Sequence, residues 1–148
     1  MVDSSLEEIL SEPPPPILIV EDDPDLRAMI ERLLAHQGYL VRTAADGRAA
    51  LECCEQELPS LIFCDLMLPH VDGESFLLEM RERWPEASIP IVLLSASAIR
   101  DEIAERIGVT SSLAKPFDTA DILALAEEHG PKQRERRAPL DETARDSK

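Results

Sequence analysis

Leu61-Ile62-Phe63-Cys64-Asp65-Leu66-Met67-Leu68-Pro69 decides the architecture of this 148-residue chain. Four apolar residues run directly into a carboxylate, and a proline and then Asp72-Gly73 follow. An apolar run of this length, closed by turn residues, reads as a strand buried on both faces. Such a strand has no solvated side on which to carry a charge. Asp65 is therefore either a turn residue that ends the strand or a group delivered to a surface where its charge is used.

The neighbouring stretches repeat the pattern. Ile17-Leu18-Ile19-Val20 closes on Glu21-Asp22-Asp23-Pro24, with Asp23 as N-cap and Pro24 at the first helical position. The helix that follows carries Leu26, Met29, Ile30, Leu33 and Leu34 on one stripe, and Gly38 ends it. Residues 39–44 alternate as a short strand. Asp46-Gly47 opens a second helix with Ala50, Leu51 and Cys54 inward, ending near Pro59. After the strand at 61–64, a helix over 74–84 turns Phe76, Leu77 and Met80 inward. Ile91-Val92-Leu93-Leu94 is another fully apolar strand and ends at Ser95. A short helix over 100–107 stops at Gly108, a weak strand over 111–114 ends at Lys115-Pro116, and Asp118 opens the last helix with Asp121 as its capping-box partner.

Five strand–helix units in alternation require right-handed crossovers and a parallel sheet covered by helices on both faces. The expected fold is α/β, a flavodoxin-like doubly wound (βα)5 sheet of strand order 2-1-3-4-5. The flanks differ in character. Residues 1–15 read as a flexible acidic, proline-rich extension, and residues 130–148 as a disordered charged tail. Pro13, Pro14, Pro15 and Pro16 read as a stiff lead-in to the domain, with a ligand for a proline-binding module as the sharper alternative.

Composition narrows the class of function. A net charge of −15 argues against nucleic-acid binding, which needs basic faces. No apolar run approaches the ~18 residues of a membrane span, and residues 1–10 lack the basic and apolar regions of a secretory signal. Three cysteines, two of them neighbours on a helix, do not make a disulfide framework, so a reduced, cytoplasmic protein is expected. Cys64 reads as a small core hydrophobe.

Ligands of open α/β sheets bind beyond the carboxyl ends of the strands, at the switch point between strands 1 and 3. The residues that follow the apolar runs are Glu21-Asp22, Asp65, Ser95 and Lys115. Three acids, a hydroxyl and an ammonium thus converge on one sheet edge. Close carboxylates repel, so they take up protons or hold a cation. Hard oxygen donors select Mg²⁺, which leaves coordination positions open for a phosphate. With that charge present, Asp65 is a competent nucleophile toward phosphorus, and Lys115 and the Ser95 hydroxyl add donors for the transferred group.

Glu21-Asp22-Asp23 after its apolar run, Asp65-Leu66-Met67-Leu68-Pro69 with Asp72-Gly73, Ser95-Ala96 and Lys115-Pro116-Phe117 together resemble the motif set of a response-regulator receiver domain. The resemblance covers residues 16–129, with each motif in the family's order and spacing. It implies a two-component phosphoprotein whose Asp65 takes phosphate from a phosphohistidine of a sensor histidine kinase or phosphotransfer protein. It further implies Glu21 and Asp22 as the acidic pair, a Met67 backbone carbonyl on the metal, Lys115 on the phosphate and a cis peptide before Pro116. Ser95 takes the position of the hydroxyl switch, which shifts the face formed by the fourth helix, last strand and last helix. The signal then passes to an unidentified downstream protein, and the only reactions catalysed are the domain's own phosphorylation and dephosphorylation.

Two departures fall on that output face. The family usually has Tyr or Phe three residues before the lysine, where this chain has Ser112, and the segment from Ser95 to Lys115 is short. They motivate a second reading, a phosphorylation-independent interaction module on the same fold. A Mg²⁺-dependent phosphohydrolase ranks last, because its general acid two residues after the nucleophile would be Met67. His70, in the loop after Asp65, reads as a solvent-facing histidine.

Overall fold

The structure, a computed structural model, describes residues 14–66, 72–94 and 101–131. Its elements are β1 (Ile17–Val20), α1 (Pro24–His36), β2 (Val41–Ala44), α2 (Gly47–Gln56), β3 (Leu61–Asp65), α3 (Gly73–Arg83), β4 (Ile91–Leu94), α4 (Asp101–Ile107), β5 (Ser111–Leu113) and α5 (Thr119–His129). All strand pairs are parallel, and the sheet order is β2-β1-β3-β4-β5, as the alternation of elements predicts.

The apolar runs are explained by side-chain alternation between two cores. Leu18, Val20, Ile62, Cys64, Ile91 and Leu93 face one layer, where α2, α3 and α4 supply Ala50, Cys54, Phe76, Leu77, Met80, Ile103 and Ile107. Ile17, Ile19, Leu61, Phe63, Val92 and Leu94 face the other, against Ile30 and Leu34 of α1 and Ile122 and Ala126 of α5. Both faces being covered, β1, β3 and β4 have no position for a polar residue until they end. Each fully buried Phe, Leu or Ile contributes about 1.5–3 kcal/mol, so the carboxyl edge of these strands is held by the most strongly packed part of the molecule.

Several boundaries differ from expectation. β2 begins at Val41 rather than at residue 39, because Gly38 and Tyr39 still serve the end of α1: their amides bond to Ala35 O (2.9 Å) and Leu34 O (3.2 Å), with Gly38 at φ 97°. The α2 helix stops at Gln56, and α3 runs one residue earlier than expected at both ends. Asp118 precedes α5 but makes no side-chain capping bond; its backbone carbonyl instead accepts from the Asp121 amide at 3.0 Å, so the expected capping box is absent. Packing also reaches past the expected domain limit at residue 16. Pro14 and Pro16 are buried, and Ser60 Oγ donates to the carbonyls of Pro15 and Pro16 at 2.9 and 3.2 Å. Pro14 and Pro16 thus pack against the domain, while Pro15 between them is exposed. No helix among the described residues is long and apolar enough to cross a membrane.

Candidate functional site

Strand register assembles the acids. Val20 pairs with Cys64 across β1 and β3, so the next residue on each strand, Glu21 and Asp65, stand side by side one inter-strand spacing apart, about 4.8 Å. Glu21 is 0% and Asp65 5% exposed, the two buried charged side chains among the described residues, while Asp22 is exposed beside them. Lys115, two residues beyond β5, reaches across and donates from Nζ to Glu21 Oε1 and Asp65 Oδ2, both at 2.9 Å. The peptide between Lys115 and Pro116 is cis, as the resemblance implies.

The electrostatics follow from this packing. Burial pushes the Glu21 carboxyl above its ordinary value, only partly opposed by the hydrogen bonds from Lys115 and the Asp23 amide. Burial also works against the Lys115 ammonium, but its hydrogen bonds to Asp65 and Glu21 outweigh that and hold it above the ordinary lysine value. Lys115 is therefore a firm cation at neutral pH.

Oxygens of Glu21, Asp22 and Asp65 all lie within 4.8 Å of one another. Opposite ligands of an octahedral Mg²⁺, each at about 2.1 Å, span roughly 4.2 Å, so a small contraction suits this all-oxygen set to that ion. The donor set fits Mg²⁺ better than soft metals, which seek sulfur or imidazole.

The sequence placed Glu21, Asp22, Asp65 and Lys115 together, and the structure does the same. Met67 and Ser95 lie outside the described residues, as do His70 and the tail beyond residue 131. Ser112 is exposed on β5. Three supporting contacts escaped the sequence. The Asp23 amide donates to Glu21 Oε2 at 3.2 Å. Arg27 Nη1 donates to the carbonyls of Glu21 at 2.8 Å and Asp22 at 3.5 Å. Gly73 packs so tightly that a Cβ there would come within 2.1 Å of Asp65 O. In the sequence Gly73 reads as a turn residue after Asp72, and nothing in its spacing tells that it touches the Asp65 backbone.

Fold and site together define a flavodoxin-like α/β protein with a lysine-bridged acidic cleft at the sheet's switch point. A family model described as the response regulator receiver domain matches residues 17–127, and the chain belongs to that family. An uncharacterised 14.6 kDa protein of Leptolyngbya boryana is 32% identical over 115 residues, spanning 76% of this chain and 88% of that protein. Response regulator MprA of Mycolicibacterium vanbaalenii is 34% identical over 113 residues, 73% of this chain and 47% of that relative. The chain thus spans about half the length of that relative. Among solved structures, chemotaxis protein CheY4 of Vibrio cholerae superimposes with a TM-score of 0.71 at 28% identity, covering 78% of this chain and 98% of that one.

Proposed function

We propose that this receiver takes a phosphoryl group on Asp65 from the phosphohistidine of a sensor histidine kinase or phosphotransfer protein. It then relays the signal by protein–protein contact to a downstream partner, within the cytoplasm. The observation that carries the reading is the buried pair of Asp65 and Glu21 bridged by Lys115, with the Asp22 carboxylate alongside. An Asp65 carboxylate oxygen forms the new O–P bond. The donor's N–P bond breaks, and its electron pair stays on the imidazole nitrogen, which takes up a proton.

Glu21, Asp22, Asp65 and the Met67 carbonyl are the residues that would hold Mg²⁺, and the ion supplies positive charge to the oxygens of the transferring group. Lys115 supplies a second fixed cation beside Asp65. The walls of β1 and β3 keep water from one side of the carboxylate, which strengthens both interactions. Ser95 is the hydroxyl that reports the phosphate to the output face. No reaction beyond the domain's own phosphorylation and dephosphorylation is required of it.

Incubation with acetyl phosphate and Mg²⁺, followed by intact mass measurement, should show one added phosphoryl group in the wild type and none with EDTA or in Asp65→Asn. Failure of acetyl phosphate and of a cognate kinase alike to phosphorylate the wild type overturns the reading.

One observation favours a second reading. Ser112 is a small exposed side chain where receivers usually place an aromatic, which suits a docking face indifferent to phosphate. Partner affinity that is equal for the phosphorylated protein and for Asp65→Asn would favour it.

A further inference from the structure

We infer that Arg27 is a positioning residue for the acidic pair: from the first turns of α1 it holds the backbone carbonyls of Glu21 and Asp22, and so fixes how their carboxylates meet a divalent cation. The inference rests on the reading of Glu21, Asp22 and Asp65 as a Mg²⁺ site.

Residues 21–23 link the end of β1 to the start of α1, beyond the paired residues of β1. The segment is tied down at three points. The Glu21 amide donates to Ala44 O of β2 at 3.0 Å. Asp23 caps α1 through its Oδ1, which accepts from the amides of Asp25 and Leu26 at 3.0 and 3.3 Å. Arg27 supplies the third tie, folding back along the helix so that one nitrogen, Nη1, reaches both carbonyls. Its own amide bonds to Asp23 O at 2.9 Å, so the base of the side chain is fixed by the same turn that Asp23 caps. The Glu21 carboxylate is then oriented from both ends, with Oε2 on the Asp23 amide and Oε1 on Lys115.

Charge and geometry make opposite forecasts for this residue, which is what makes it testable. A guanidinium on the backbone of two of the acidic residues opposes a second cation, so its removal on charge alone should tighten Mg²⁺ binding. A residue that orients metal ligands from the outer shell does the reverse, and loss of such a partner typically weakens metal affinity by about 10- to 100-fold. Arg27 donates to main-chain carbonyls, and its charged donor strengthens those bonds. On this geometry the orienting effect wins.

The test is isothermal titration of Mg²⁺ into the full chain without phosphodonor, for wild type, Arg27→Ala and Arg27→Lys, with thermal unfolding in EDTA alongside. Arg27→Ala should bind Mg²⁺ about 10-fold more weakly, and Arg27→Lys, which keeps a donor, should fall between. The EDTA unfolding midpoints should stay close together. Hydrogen exchange at the Asp23 amide in EDTA should quicken in Arg27→Ala, a readout that involves no metal. Should Arg27→Ala not fold, Arg27→Gln against Arg27→Lys makes the same comparison. Equal or tighter Mg²⁺ binding without the guanidinium overturns the role of Arg27 while leaving the site intact. A wild type that binds no Mg²⁺ overturns the metal-site reading itself and this inference with it.

Discussion

Glu21 and Asp65 stand side by side at the sheet edge with almost no solvent around them, and Lys115 is the cation shared between them. Burial therefore disfavours the charged form of Glu21. Because its folded pKa lies above its unfolded one, the stability this group contributes is complete below the ordinary 4.5 and is lost as pH rises through the folded value. At neutral pH in EDTA, Glu21→Gln should thus raise the thermal unfolding midpoint while weakening Mg²⁺ binding. A lowered midpoint would contradict the assignment of Glu21 as a strained ligand. Lys115 runs the other way in role: its raised pKa keeps its stabilisation in place up to about its ordinary 10.5. Gly73 limits the site from behind. Its Cα approaches the Asp65 carbonyl too closely for any side chain, so Gly73→Ala must push the start of α3 or the Asp65 backbone aside. That should cost about 1–3 kcal/mol of stability by overpacking and slow phosphorylation more than Mg²⁺ binding. Chemical denaturation and phosphorylation rates measured together check it.

At the scale of elements, the cap residues divide into two kinds that look alike in sequence. Asp23 and Asp46 accept hydrogen bonds from the amides of α1 and α2, whereas Asp118 makes none to α5. Asp23→Ala and Asp46→Ala should each cost about 1 kcal/mol in denaturant unfolding, and Asp118→Ala clearly less. A cost at Asp118 equal to the others would show that the box forms in solution. The same contrast explains what could be read in advance. β1, β3 and β4 were legible because residues buried on both faces leave an unbroken apolar run. The β2 start was not, because Tyr39 is apolar and buried yet has its amide bound to α1. The burial of Pro14 was not legible, because a proline run signals its own stiffness but not that the Ser60 hydroxyl ties the next two carbonyls, those of Pro15 and Pro16, to the domain. Asp65, Glu21 and Asp22 were legible as the polar ends of apolar strands, and Lys115 as the cation that follows the weak last strand and precedes Pro116. Arg27 was not, since its side-chain bonds to the main-chain carbonyls of Glu21 and Asp22 leave no pairing of residue types to detect.

For the whole molecule, the two cores on either side of one sheet put its functional edge on a rigid frame. They also enclose two thiols. Cys64 is wholly buried, and burial raises its pKa well above the ordinary 9.0; burial pushes Cys54 up to about 12. With so little thiolate at pH 8, both should resist iodoacetamide in the native state and react fully once the chain is unfolded in denaturant. Rapid native labelling of Cys64 would mean that the sheet opens at the very strand that carries Asp65. On the proposed function, Asp65 itself, and no other carboxylate, accepts the phosphoryl group. Borohydride reduction after phosphorylation converts an aspartyl phosphate to homoserine, and peptide mass spectrometry locates it. Homoserine is expected at position 65 and nowhere else, and is lost when Mg²⁺ is chelated; homoserine at Asp22 or another acid, with Asp65 intact, would overturn the assignment.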